Sequence, residues 1–100
     1  MKIDKTQNGT TLTIAITGRL DTTTAPDLDA ELKGAIADAS ALVFDFAALE
    51  YISSAGLRVL LSAQKAMDKK GGSMKICHAN DMVMEVFDVT GFVDMLTIEK

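Results

Sequence analysis

The sequence has a single cysteine, proline, histidine and tyrosine, and no tryptophan. With Cys77 alone, no disulfide can form within the chain. A polar start also stands where a secretory signal would need a continuous apolar core, so a cytoplasmic setting is expected. His78 has no cysteine or second histidine at ligand spacing, and no metal or other cofactor is expected. No apolar run approaches the roughly 20 residues that span a bilayer, so direct membrane insertion is not expected. Positive charge is sparse: ten Lys and Arg against fourteen Asp and Glu leave a net charge of −4. No basic cluster is dense enough to follow a phosphate backbone, which disfavours nucleic acid and leaves a protein as the better-fitting partner.

What is present is apolar and regularly spaced. One hundred residues at 48% hydrophobic content suit one domain over 1–100 with its own core. Met1–Thr6 and Thr11–Thr17 read as strands joined at Asn8-Gly9, a dipeptide suited to a tight hairpin turn. Leu12, Ile14 and Ile16 alternate with threonines and Ala15, so this sheet is expected to be covered on one side. After Gly18-Arg19-Leu20-Asp21 leaves the second strand, Thr22-Thr23-Thr24 and Pro26 lead into a helix. Leu28, Leu32, Ala35, Ile36 and Ala39 keep helical spacing there up to Ser40, with Gly34 costing about 1 kcal/mol relative to alanine.

The central stretch runs from Leu42 to Leu61. Leu42–Phe46 is a short buried strand; then, past a loop, Leu57, Leu60 and Leu61 mark one helical face with Ser53-Ser54 at its mouth. Lys69-Lys70-Gly71-Gly72 ends that helix. Ser73–Cys77 is a strand, His78-Ala79-Asn80-Asp81 caps a helix over Met82–Val89, Thr90-Gly91 closes it, and Met95–Ile98 forms a last strand. The order is β-β-α-β-α-β-α-β: an α/β fold with an N-terminal hairpin, a mostly parallel sheet and helices packed against it.

Chemistry is expected at the mouth of the second helix. Unpaired backbone N–H groups and the positive end of the helix dipole favour a capping oxygen, a carboxylate or a phosphate there. By spacing alone, Ser53-Ser54 reads as an N-cap. Tyr51 and Arg58 flank the serines. Asp21 suits either the turn before the first helix or a contact beside the serine, and Asp45 either orients its loop or reaches solvent. Met82, Met84 and Met95 suit packing or an adaptable surface. A nucleophilic serine would need a base; only His78 is of the usual kind, nothing places it nearby, and G-x-S-x-G is absent, so the chain is not read as an enzyme.

The run Asp45–Leu61 (DFAALEYISSAGLRVLL) resembles the signature of STAS domains, specifically the single-domain bacterial anti-sigma-factor antagonists. Gly18-Arg19-Leu20-Asp21 is similar to the G-x-L/I-D segment after their second strand, and Thr90-Gly91-Phe92 matches near the C-terminus. The resemblance implies a protein that binds a serine-kinase-type anti-sigma factor and so frees a sigma factor. Phosphorylation by that kinase at the start of the second helix would end binding, and a PP2C-type phosphatase would restore it. Many members carry D-S-S-G-L or D-S-T-G-L with the phosphorylated hydroxyl directly before the glycine. Here Ala55 fills that position and Ser53 replaces the aspartate, so the resemblance places the phosphate at Ser54, with Ser53 as the alternate. The implied partner face is Asp21, Thr22, Ser53, Ser54, Ala55, Gly56 and Arg58, on a chain for which nothing demands more than a monomer. The other reading is a non-switching STAS module of a transporter or a larger signalling complex.

Overall fold

In the computed structural model, which describes residues 1–99, six strands form one sheet. β1 (Lys2–Asn8) and β2 (Thr11–Leu20) make the N-terminal hairpin, antiparallel from Lys2↔Thr17 to Asn8↔Thr11. Gly9, with φ +64°, takes the left-handed conformation the turn requires. The chain continues through α1 (Ala25–Ala35), β3 (Ala41–Asp45), β4 (Leu49–Ile52), α2 (Ser54–Lys70), β5 (Ser73–Cys77), α3 (Asp81–Thr90) and β6 (Ile98–Glu99). The sheet order is β1-β2-β3-β5-β6, with β4 paired to β2, and every pairing except β1–β2 is parallel. This is the α/β architecture expected from the alternation of elements.

Burial alternates along β2, β3 and β5: Leu12, Ile14, Ile16, Leu42, Phe44, Met74 and Ile76 are buried, while Thr13, Ala15, Val43 and Lys75 are only partly covered. Leu28 and Leu32 of α1, Leu57, Leu60 and Met67 of α2, and Val83 and Phe87 of α3 join the same core cluster. The three helices therefore cover one face of the sheet and leave the other to solvent. Lys70 binds the end of α1 to the end of α2, its ammonium donating to the carbonyls of Ile36, Ala37 and Ala39 at 2.7, 3.0 and 2.6 Å.

Four differences from the sequence reading go beyond one or two residues at the end of an element. Residues 49–52, read as loop, are the strand β4, so the order is β-β-α-β-β-α-β-α-β. The cause is a change of partner along β2: Thr11–Ala15 pairs with β3, and Gly18–Leu20 pairs with β4. Accordingly β2 runs on to Leu20 instead of ending at Thr17. Gly18, at φ +98° beside a register shift, makes the change possible. The first α-helix stops at Ala35 and tightens into a 3₁₀ turn over Ile36–Asp38. The last strand is Ile98–Glu99, because Phe92–Asp94 forms a second 3₁₀ turn and Met95 closes it.

Candidate functional site

The C-terminal ends of β2 and β4 lie side by side, Leu20 against Ile52, and the Ser53 N–H donates to the Leu20 carbonyl at 2.9 Å. This pairing joins two segments that are distant in sequence: the turn Asp21–Thr24 and the mouth of α2. Such an edge, where parallel strands end and helices begin, is where open α/β sheets place their sites.

At the helix mouth the two serines divide the work. Ser53 is the N-cap, in extended conformation, with its side-chain oxygen accepting from the Gly56 N–H at 3.4 Å. Ser54 is the first helical residue and is exposed, whereas Ser53 is partly covered. The first turn of α2 carries no acidic side chain, unlike those of α1 and α3, which hold Asp27 and Asp81. Nothing on that turn offsets the positive end of its dipole. Arg58, one turn further in, is exposed.

Gly56, expected in the partner face, occupies a packing position. It is buried, and a Cβ built on it would lie 2.8 Å from Leu20 Cγ and 2.9 Å from Ile52 Cγ1. It lets α2 approach the ends of β2 and β4, and so acts beneath the surface. Ala55 is partly covered and packs against the core.

In the neighbouring turn the Asp21 carboxylate is the hub. Its Oδ1 accepts from the Thr23 N–H at 3.0 Å, the Thr23 hydroxyl at 2.8 Å and the Thr24 N–H at 3.2 Å. The Thr24 hydroxyl donates to the Arg19 carbonyl at 2.9 Å and accepts from the Asp21 N–H at 2.8 Å. The Thr23 hydroxyl, followed by the backbone N–H groups, holds the Asp21 carboxyl below its ordinary value. Asp21 thus builds the turn, and Thr22 is left exposed on it.

Two pairings escaped the sequence. The Arg19 guanidinium lies over the Tyr51 ring, 4.4 Å from its centroid, with Nε 3.8 Å from Asp21 Oδ2. It follows from the register Arg19↔Tyr51, which only recognition of the short apolar run at Leu49–Ile52 as a strand would have revealed. His78, in left-handed conformation at φ +63°, sets Nδ1 3.0 Å from Asp45 Oδ1, which also accepts from the Ala47 N–H at 3.0 Å. The Ala47 N–H and then His78 lower the Asp45 carboxyl. The one histidine is therefore engaged with the loop that leads into β4. Among the described residues no group of three or more His, Cys, Asp or Glu could hold a metal ion. A hollow of about 520 Å³, lined by Thr11, Ala41 and Ser73 at the starts of β2, β3 and β5, shares no residue with the helix mouth.

Known proteins agree with this architecture. The Bordetella bronchiseptica protein BtrV is 33% identical over 88 residues, covering 87% of this chain and 76% of its own. The anti-sigma-B factor antagonist of Bacillus subtilis is 29% identical, covering 98% and 90%. Among solved structures, an anti-sigma factor antagonist from Mycobacterium paratuberculosis has a TM-score of 0.87 at 22% identity, covering 97% of this chain and 83% of that one. The Bacillus protein SpoIIAA in its phosphorylated form has 0.78 at 17%, covering 99% and 92%. These two share the fold. The sequence pattern of the STAS domain matches residues 2–100, and the chain belongs to the STAS domain family.

Proposed function

We propose that this protein is an anti-sigma-factor antagonist whose binding is switched off by phosphorylation of Ser54. Unmodified, it binds a serine-kinase-type anti-sigma factor through the turn at Thr22 and the first turn of α2, and the sigma factor is released. The kinase transfers phosphate to Ser54, the complex dissociates, and a PP2C-type phosphatase restores the active form in the cytoplasm. The observation that carries this reading is the division of labour at the helix mouth. Ser53 is committed to the cap, while Ser54 presents its side chain to solvent where no carboxylate competes for the dipole. Relatives named as antagonists of anti-sigma factors support the partner class.

The energetics suit a switch that leaves the fold intact. A phosphoryl group adds about −1.5 to −2 charges, and a helix N-terminus favours an anion by about 0.3–1 kcal/mol, so the modified domain stays folded. A partner packed over Ser54 would instead face a bulky hydrated anion, and a loss of about 4 kcal/mol is roughly a thousandfold in affinity. Ser54→Ala is expected to keep partner binding and abolish modification, and Ser54→Asp or Glu to weaken binding. Peptide mapping of protein isolated from its cell should find phosphate on Ser54. Phosphate on Ser53 alone, or equal binding by the Ala and Asp variants, would overturn the assignment.

Ala55 at the position where many family members carry the phosphorylated hydroxyl favours a second reading, a non-switching STAS module. Capture of a transporter ATPase in place of a kinase would select it.

A further inference from the structure

Helix α3 turns Val83 and Phe87 into the core, where both are fully buried. Its outward stripe is Met82, Glu85, Val86 and Val89, offsets of three, four and seven that form one line along a helix. Met82 is 56% exposed and Val89 80%. Met95, on the turn that follows, is 52% exposed, so apart from Met1 the large apolar side chains open to solvent among the described residues all fall in 82–95. With Thr90 the stripe lines a shallow groove of about 300 Å³.

Along the segment that carries this stripe, the charge has one sign. Residues 79–99 hold Asp81, Glu85, Asp88, Asp94 and Glu99, and none of the chain's ten Lys and Arg. The first four are exposed; Glu99 is paired with Lys75 at 2.9 Å. A second copy of the chain placed here face to face would set carboxylates against carboxylates, and an anionic membrane would be repelled. An apolar line with an acidic border is complementary to one kind of partner surface, the apolar face of a helix flanked by Lys and Arg.

We propose that the outer face of α3 is a second docking surface, separate from the mouth of α2, and that it takes a basic amphipathic helical segment of a protein partner. The apolar stripe supplies the contact area and the four carboxylates set orientation and encounter rate, so binding weakens with salt.

The full-length chain, labelled with ¹⁵N, would be titrated with a Leu/Lys amphipathic peptide of about four helical turns. Shifts should concentrate on the amides of Met82, Glu85, Val86 and Val89. Val89→Lys, at an exposed position and so compatible with folding, should weaken binding about tenfold or more. A peptide with serine in place of each leucine should bind at least about tenfold more weakly than its parent. Binding that depends on charge alone, shifts centred on Asp27 and Asp29 or on Ser54, or an affinity untouched by Val89→Lys would overturn the proposal. So would self-association in sedimentation equilibrium that Val89→Lys abolishes, since the face would then serve a second copy.

Discussion

At Gly56 the absence of a side chain is structural. Its backbone sits where a methyl group would collide with the branch carbon of Leu20 and with Ile52 Cγ1, neither of which is the free end of a flexible chain. Gly56→Ala is therefore expected to destabilise by about 1–3 kcal/mol through overpacking, even though alanine is the better helix former. Urea unfolding would measure it, and a stability equal to the parent's would show that α2 has room to shift. The same small patch explains the limits of the sequence reading. A motif places Ser53, Ser54, Ala55 and Gly56 together without showing that one faces the core, one caps the helix and one meets solvent. Which residue does which depends on the rotation of α2 over β2 and β4, a tertiary fact.

At the scale of elements, the strand β4 and the helix α3 are joined by one side chain. Asn80 caps α3, its Oδ1 accepting from the Val83 N–H at 2.8 Å, while its Nδ2 donates to the Leu49 carbonyl at 3.0 Å. Asn80→Ala would remove both bonds and is expected to cost about 1–3 kcal/mol. Ser53→Ala, which loses a single long bond of 3.4 Å, should fall toward the lower end of the usual N-cap range of about 0.5–2 kcal/mol. The two variants compared by denaturant midpoints test this order, and a larger loss for Ser53→Ala would refute it. The caps at Asn80, Gly71 and Gly91 could be read directly, since Asn and Gly at helix ends act within one turn of chain. Leu49–Ile52 could not: four residues with an exposed Glu50 show no period of their own. They become a strand because the end of β2 offers them hydrogen bonds.

For the molecule as a whole, the two loop carboxylates predict how stability responds to acid. Asp21, held by Thr23 and Thr24, and Asp45, held by Ala47 and His78, both lie below the usual value of 3.8. Each binds its proton less readily folded than unfolded. The stability each contributes is therefore fully present above 3.8 and is lost as pH falls through the lowered folded value. Lys75 acts at the other limb: Glu99 raises it above 10.5, so its contribution is present below that value and disappears as pH rises past the folded one. Unfolding midpoints followed from about pH 5 to about pH 2 should fall less steeply in the Asp21→Asn/Asp45→Asn double variant than in the parent. Parallel slopes would mean that these carboxylates titrate alike in both states.

What the sequence determined by itself is the helices and strands other than β4, the apolar side of each and the family they compose, because periodicity and capping act between residues only a few places apart. The tertiary structure decided that β2 changes partner at Gly18, that the Asp21 turn stands beside the mouth of α2, and that Arg19 meets Tyr51 and Asp45 meets His78. Each of these depends on which of several available strand ends pair. That choice is made by the packing of the whole core.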